Sequence, residues 1–486
     1  GLLSPVSLEL SGGESWSELQ IDLSPLAGRG SVGLTLRASG APALLMLGGV
    51  RRMGPSDASR PNTVLWIVDT LRSDRLSSYG YGLKTDPVLA QLAAEGVRVE
   101  HVYAASNWTR PSVSSLLTGV GPEIHGNDAP GRQIDEELVT LAGELSRAGY
   151  LTVSFNTNYH AGLWSGLDKG FDVQFQPRHF PRLDPPTSLT STQIAGPLAQ
   201  FVEQHAGEAL FLYVHCLDPH APYAPHQQDV DALAAQGTAG APVPTAQAAD
   251  ARLSFRERSP AYDAEILNAD RELGRFDAQL DRLGLAADTL FVFTSDHGES
   301  FAEHGTWGHW RSLYESEVRV PWVMRWPDGL PAGRVVDTWA GHIDLAPTML
   351  GLLSLPRPIG WTGRDLSAVM RGSSSHVPEV VQVIDTISGE KETLGQRSLA
   401  AVGNGWKLIV DLGDDGELRP RRLFEVAADP GEVHDWLPER GAPEVLLEAL
   451  ADHLRRAEAL GHGQGAADAA LDPELQRWLE EMGYLR

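Results

Sequence analysis

The sequence holds a single cysteine, Cys216, among 486 residues. One thiol excludes an internal disulfide framework and any cysteine-rich metal site. Long apolar runs are missing as well. The longest, such as LFLYVH and TLFVF, have the length of strands and fall short of the roughly 18 to 20 residues a membrane helix needs. Positive charge is scarce: 39 Lys and Arg stand against 64 Asp and Glu, a formal charge of −25. That balance argues against nucleic acid as a partner, because phosphate neutralisation needs clustered cations. An anionic substrate stays compatible with it if a metal ion supplies local positive charge. The chain opens on Gly1 (GLLSPVSLEL) and not on Met, which reads as a processed or cut start with no signal peptide in view.

What is there is enough for a large core and two or three domains. Residues 1–50 carry short alternating runs (VSLEL, LQIDL, VGLTLRA, ALLMLGGV) between Gly, Ser and Pro, the pattern of a small β region, whole or part of a β-sandwich. Residues 51–62 are polar with Pro and Gly and read as a linker. From 63 the rhythm becomes buried strand alternating with helix: TVLWIVD, LTVSFNTN, LFLYVHCLD and TLFVFTSD are the strands. The clearest helix is YDAEILNADRELGRFDAQLDRLGL, with Ile266, Leu273, Phe276, Leu280 and Leu283 on one face. Alternation of this kind predicts an α/β fold, a mainly parallel central sheet flanked by helices, over 63–375. Residues 376–486 read as a smaller antiparallel subdomain (SLAAVGNGWKLIVDL, RRLFEV) closed by a terminal helix, DPELQRWLEEMGYL. Residues 226–258, rich in Ala, Gln, Gly and Pro, read as a long loop, either a lid or a tolerated insertion.

Each predicted strand of the central sheet ends in polar groups: Asp69, Asn156 and Asn158, His215 to His220, Asp296 and His297. Ligands of open α/β sheets bind beyond the carboxyl ends of the strands. SNWTRPSVSSLLTG places Pro111 in the first turn of a helix, which leaves Thr109 at the helix N-terminus. Free N–H groups and the helix dipole favour an anion there, and a Thr hydroxyl becomes a nucleophile beside a divalent ion. Taken alone, Thr109 or Ser112 reads better as an N-cap. Asp69, Asp296, His297 and the Thr109 oxygen together make an O3N donor set, which leans to Zn2+ or Mn2+ and leaves Ca2+ open. One metal site is expected. A second would need Asp218, His220, His304 and His309, whose spacing shows no two-metal pattern.

The stretches TVLWIVDTLRSDRLSSYGY, WTRPSVSSLLTG, DPHAPY, TSDHGESFAEHGTWGHWRSLYESEVRVPWVMR and HIDLAPTML resemble the sulfatase family of the alkaline phosphatase superfamily, in order, from about residue 62 onward. WKLI and LFEVAADPGE resemble that family's C-terminal subdomain. The resemblance implies Asp69, Asp296 and His297 as metal ligands, Thr109 as the nucleophile, and His220 as a contact to the transferred group's oxygens. It puts His309 where the family has a Lys that helps the leaving group. His125 lies near a region that often contributes a basic contact in that family; with His215 and Arg110, read from their own positions, it makes up the candidate substrate contacts. There are three departures. The family's nucleophile is a Cys or Ser oxidised to formylglycine, and Thr109 cannot give that aldehyde. Val113 stands where the family has Arg, and Thr70 where it has a second Asp.

These readings predict a metal-dependent hydrolase of phosphate, phosphonate or sulfate esters that works through a covalent Thr109 intermediate, phosphorus being favoured. The alternatives are a sulfatase acting without formylglycine, a phospho-group transferase, and a catalytically retired binding protein, which would hold no stoichiometric metal. The family resemblance implies a periplasmic or extracellular location. The natural substrate and oligomeric state are not readable from the sequence.

Overall fold

In a computed structural model, the structure describes residues 60–460 apart from 130, 177–188, 238–254, 375–381 and 388–396. The expected N-terminal β region, most of the linker, part of the 226–258 stretch and the terminal helix lie outside the described residues.

The central sheet is built from β1 (Asn62–Val68), β2 (Val97–Tyr103), β3 (Leu151–Asn156), β4 (Val173–Phe175), β5 (Leu210–Cys216) and β6 (Thr289–Ser295), followed by a two-stranded ribbon, β7 (Ser300–Phe301) and β8 (Trp307–Gly308), and then β9 (Trp322–Arg325) and β10 (Arg334–Gly341). Eight strands run in the order β10-β2-β9-β6-β1-β5-β3-β4. All pair in parallel except β9, which is antiparallel to β2 and β6. This is the mainly parallel α/β sheet expected from strand–helix alternation. The apolar runs explain it. Alternate residues point to opposite faces, and both faces are buried. Leu65, Ile67, Phe211, Tyr213, Leu290 and Val292 enter one core. Val64, Trp66, Val68, Leu212, Val214, Phe291 and Phe293 enter the other.

The long helix runs Phe255–Arg282 and lays Ile266, Leu273, Phe276 and Leu280 into the second core, with Leu283 beside them. It starts well before the predicted Tyr262. A second helix, Gln227–Ala234, opens the stretch read as a loop. Its Val230 and Leu233 share a helix face and pack on Ala264, while Asp229 pairs with Arg271. That one-sided stripe was too short to stand out from an Ala- and Gln-rich background.

The C-terminal sheet has four antiparallel strands: β11 (Gln382–Ile387), β12 (Arg397–Gly403), β13 (Trp406–Leu412) and β14 (Leu418–Phe424). It shares a compact unit with the central sheet. Ile384, Ala400, Val402, Ile409 and Phe424 join Tyr103, Leu313 and Val318 in one apolar cluster. β11 was missed in the sequence, yet it reaches the segment before Thr109: Asp385 N–H donates to Ala105 O at 3.0 Å and Thr386 Oγ1 to Asn107 Oδ1 at 2.5 Å.

Candidate active site

The sheet order sets β6, β1, β5 and β3 side by side, so the polar groups beyond their carboxyl ends converge. Asp69 follows β1 and Asp296 follows β6; both are fully buried. Asp296 Oδ1 accepts from the N–H groups of Thr70 (3.1 Å) and His297 (2.9 Å). Thr70 holds a left-handed φ of 56°, costly for a β-branched residue. Its carbonyl is pinned by Tyr262 Oη at 2.6 Å.

The helix Thr109–Thr118 begins over this pair. Its N-cap is Trp108, and no side chain caps it. Thr109 is therefore not a capping residue, and its hydroxyl turns into the site: Oγ1 lies 3.3 Å from His297 Nε2 and accepts from Asn158 Nδ2 at 3.2 Å. Ser112 is also excused from capping, since its Oγ donates to Asp296 O at 2.5 Å and sits 2.9 Å from His342 Nδ1. At the far end Gly119, at φ 63°, ends the helix; a Cβ there would stand 2.9 Å from the Trp361 ring.

The buried cluster passes a chemical test for a cation. Asp69, Asp296 and His297 can each offer one ligand atom, all within 4.8 Å of one another. Asp69 Oδ1 and Asp296 Oδ2 are buried without a hydrogen-bond partner. His297 Nδ1 donates to Gly298 O at 2.9 Å, which leaves an Nε2 lone pair facing the carboxylates. Nε2 is 3.3 Å from Asp296 Oδ2 and 3.7 Å from Asp69 Oδ1. Two buried acids side by side need a positive neighbour. Burial, and then Asp296, pushes the Asp69 carboxyl well above its usual range. Burial opposes ionisation of Asp296 too, but His297 and His215 outweigh it and hold Asp296 low.

Asn158 is the site residue to which the sequence reading gave no role. It had been noted only as a strand-end polar group. Its Oδ1 accepts from His160 N–H at 2.8 Å, which fixes the amide. Its Nδ2 then donates to Asp69 Oδ2 at 2.5 Å and to Thr109 Oγ1. Glu299 is the other omission. It contacts His309 Nδ1 at 3.2 Å and accepts from Tyr223 Oη at 3.0 Å. His309 and His220 stand with ring centroids 5.0 Å apart, and His309 lies 4.5 Å from the His297 ring. Burial lowers both His220 and His309 to about 4, so each is a neutral imidazole at pH 7.

Three expected substrate contacts are placed otherwise. His125 faces the body of the Thr109–Thr118 helix: Nε2 meets Ser115 Oγ and Pro111 O at 3.1 Å, and Nδ1 accepts from Asn127 N–H at 3.0 Å. With both ring nitrogens engaged, it offers nothing to a substrate. Arg110 is buried and held by neighbouring backbone. Its guanidinium donates to Arg132 O, to Trp164 O at 3.0 Å and toward His160 Nδ1 at 3.3 Å. Burial lowers its pKa to about 10. His215 lies beneath the carboxylates, 3.5 Å from Asp69 Oδ2. The four donors weighed for a second metal do not assemble either. Asp218 is spent on Ser191 and Asn268, and His304 stacks on Tyr314. Beside the Asp69 cluster, the described residues hold one other such group, Glu123, Asp385 and His453.

Comparison with known proteins matches residues 61–355 to the sulfatase family model and residues 302–459 to the model for the C-terminal part of N-sulphoglucosamine sulphohydrolase. Among relatives, an N-acetylgalactosamine-6-O-sulfatase of Bacteroides thetaiotaomicron is 23% identical, over 84% of this chain and 96% of its own. Human arylsulfatase A is 28% identical, over 90% and 96%. Among solved structures, a phosphonate monoester hydrolase of Agrobacterium radiobacter has the same fold, with TM-score 0.63 and 21% identity over 82% of this chain and 96% of that one.

Proposed function

The chain belongs to the sulfatase family of the alkaline phosphatase superfamily, and from that premise we propose that it is a metal-dependent ester hydrolase using unmodified Thr109 as its nucleophile. The observation that carries this reading is the Thr109 hydroxyl: buried, not spent on capping, and held between His297 Nε2 and Asn158 Nδ2. Asp69, Asp296 and His297, with Thr109 Oγ1, would hold the divalent ion. A His among hard oxygen donors favours Zn2+ or Mn2+, with Ca2+ as the third choice. When bound, the ion supplies positive charge that lowers the Thr hydroxyl pKa and neutralises the substrate's oxygens.

The chain's own residues do the rest. Asn158 aims the Thr109 oxygen and donates to Asp69 Oδ2, which favours the ionised carboxylate against the burial that raises its pKa. Thr109 releases its hydroxyl proton to solvent and Oγ1 attacks phosphorus or sulfur in line, and the bond to the leaving oxygen breaks; Oγ1 takes a proton back when its ester is cleaved. His309, oriented by Glu299, and His220 beside it face the substrate's oxygens. The arriving anion raises their pKa, so His309 protonates the leaving oxygen. His309, now neutral, takes a proton from water as that water cleaves the Thr109 ester. The sum is ester plus water giving acid plus alcohol.

Phosphorus suits this nucleophile best. A formylglycine sulfate is released by elimination at its carbon, and a threonine has no such route. Sulfuryl transfer is the second reading, supported by the named sulfatase relatives. An exported, periplasmic or extracellular enzyme goes with either. The test is initial rates on nitrophenyl sulfate, phosphate, phosphodiester and phosphonate, each with Zn2+, Mn2+ and Ca2+, alongside Thr109→Ala and a metal count. Phosphoester or phosphonate turnover lost in Thr109→Ala supports the proposal. Sulfate turnover leading the panel moves the enzyme to the second reading. No turnover and no stoichiometric metal would overturn both in favour of a retired binding protein.

A further inference from the structure

We propose that Trp310, stacked on Trp108, is the platform for the leaving alcohol, so that the enzyme selects esters whose leaving group carries a flat apolar face, as a phenol or a pyranose does. This deepens the reading above and rests on it. The two indoles flank the reacting groups in the chain: Trp108 directly precedes Thr109, and Trp310 directly follows His309. Their ring centroids are 4.7 Å apart, with planes 24° from parallel. Trp108 is buried and Trp310 half-buried, so a buried ring backs a partly exposed one. Neither indole enters any of the apolar clusters formed by the described residues. Trp108 Nε1 is buried with no hydrogen-bond partner, although a buried indole N–H ordinarily finds an acceptor. Two large aromatic side chains are thus spent outside the cores, beside the site.

The backbone holds the ring in place at a cost. Trp310 has a left-handed φ of 68°, an outlier for so bulky a residue. Its N–H donates to Asn107 O at 3.0 Å. The next two N–H groups, of Arg311 and Ser312, both donate to Glu317 Oε2 at 3.1 Å. Asn107 Nδ2 donates to Ser312 O at 2.8 Å and to the same Glu317 oxygen at 3.0 Å. Glu317 therefore ties the loop after His309 to the segment before Thr109, and the indole is fixed relative to both. In the mechanism above, His309 gives its proton to the leaving oxygen, so the carbon skeleton on that oxygen begins beside His309. The other neighbours of that imidazole are polar: the His297 and His220 rings at 4.5 and 5.0 Å, and Glu299 on Nδ1. Trp310, next in the chain, supplies apolar area at the same end. A flat apolar group gains most from such a surface, because it removes a whole face of an indole from water.

The test sets a nitrophenyl ester against a fluoroalkyl ester of matched leaving-group acidity, on wild type, Trp310→Gly (which tolerates the positive φ) and Trp310→Phe. Trp310→Gly should raise KM for the nitrophenyl ester roughly 3- to 10-fold, the worth of one aromatic pair. Its kcat should stay within about twofold, and the fluoroalkyl KM should not move. Trp310→Phe should recover most of the loss. An equal loss on both esters overturns the proposal, because a purely structural role acts on every substrate alike. A pyranose ester against an acyclic polyol ester repeats the comparison, and the larger shift in KM tells a sugar leaving group from a phenol. Calorimetry with phenyl phosphate and methyl phosphate reads the same preference without turnover. Tighter binding of phenyl phosphate, lost in Trp310→Gly, supports the platform even where the hydrolytic reading fails. Equal affinities for the two phosphates in wild type overturn it and leave the proposed function intact, and that result needs no variant to fold.

Discussion

Replacing Asn158 by Ala tests the coupling between the acid pair and the nucleophile. The amide makes two contacts with one nitrogen: 2.5 Å to Asp69 Oδ2 and 3.2 Å to Thr109 Oγ1. Both partners gain or hold negative charge during the reaction, so these are charge-assisted bonds in a buried site, worth about 1.5 to 3 kcal/mol. At 1.4 kcal/mol per tenfold, losing that stabilisation predicts a fall in kcat of roughly 10- to 150-fold. KM should change little, because Asn158 touches the nucleophile and not the leaving group. Asn158→Asp keeps the shape but removes the donor and sets a third acid against Asp69, so it should recover nothing at neutral pH. The assay is steady-state hydrolysis of the best nitrophenyl ester, with metal content and melting temperature measured on the same preparations. A variant with full metal, an unchanged melt and kcat within twofold of wild type would refute the reasoning. Asn158 would then be a turn residue only.

Other consequences are local. Gly119→Ala should cost about 2 to 4 kcal/mol in denaturant unfolding, from a left-handed φ of 63° and a Cβ driven to 2.9 Å from Trp361. Lys407, fully buried between Glu315 (2.8 Å) and Glu432 (2.5 Å), holds two acids together. Lys407→Met strands them and should destabilise by about 3 to 5 kcal/mol. His453, on the helix Glu444–Leu460, is 2.7 Å from Glu123 and 3.8 Å from Asp385. Burial opposes its charge, but these acids, Glu123 first, raise it to about 9 from 6.5. A raised folded pKa gives stability that is complete below about pH 6.5 and is lost as pH climbs through about 9, at most about 3 kcal/mol. Chemical unfolding at pH 6.5 and 9.5 should show that loss in wild type and not in His453→Gln.

Local sequence determined a good deal of this protein. The buried strand runs, the long amphipathic helix and the start of the Thr109–Thr118 helix, with Pro111 in its first turn, are all nearest-neighbour effects. They were legible because periodicity and helix-end chemistry act over a few residues. Asp69, Thr109, Asp296 and His297 were candidates for the same reason, since each closes or opens an element whose pattern is local. The tertiary structure decided what those ends meet. Only the order β6-β1-β5-β3 puts Asn158 against Asp69 and drops His215 beneath two carboxylates, where the sequence suggested a substrate contact. Arg110 sits beside Thr109 on its helix, but its guanidinium is spent on backbone carbonyls, and His125, on the following short helix, is turned onto Pro111 O. Glu299 lies within a motif that was quoted for its neighbours, and only the fold of the β7–β8 ribbon brings His309 back to it. β11 was missed because six residues of mixed character become a strand only when β12 is there to pair with them. A sequence specifies which groups end each element. Which of them share one buried volume follows from strand order, and strand order is a property of the whole chain.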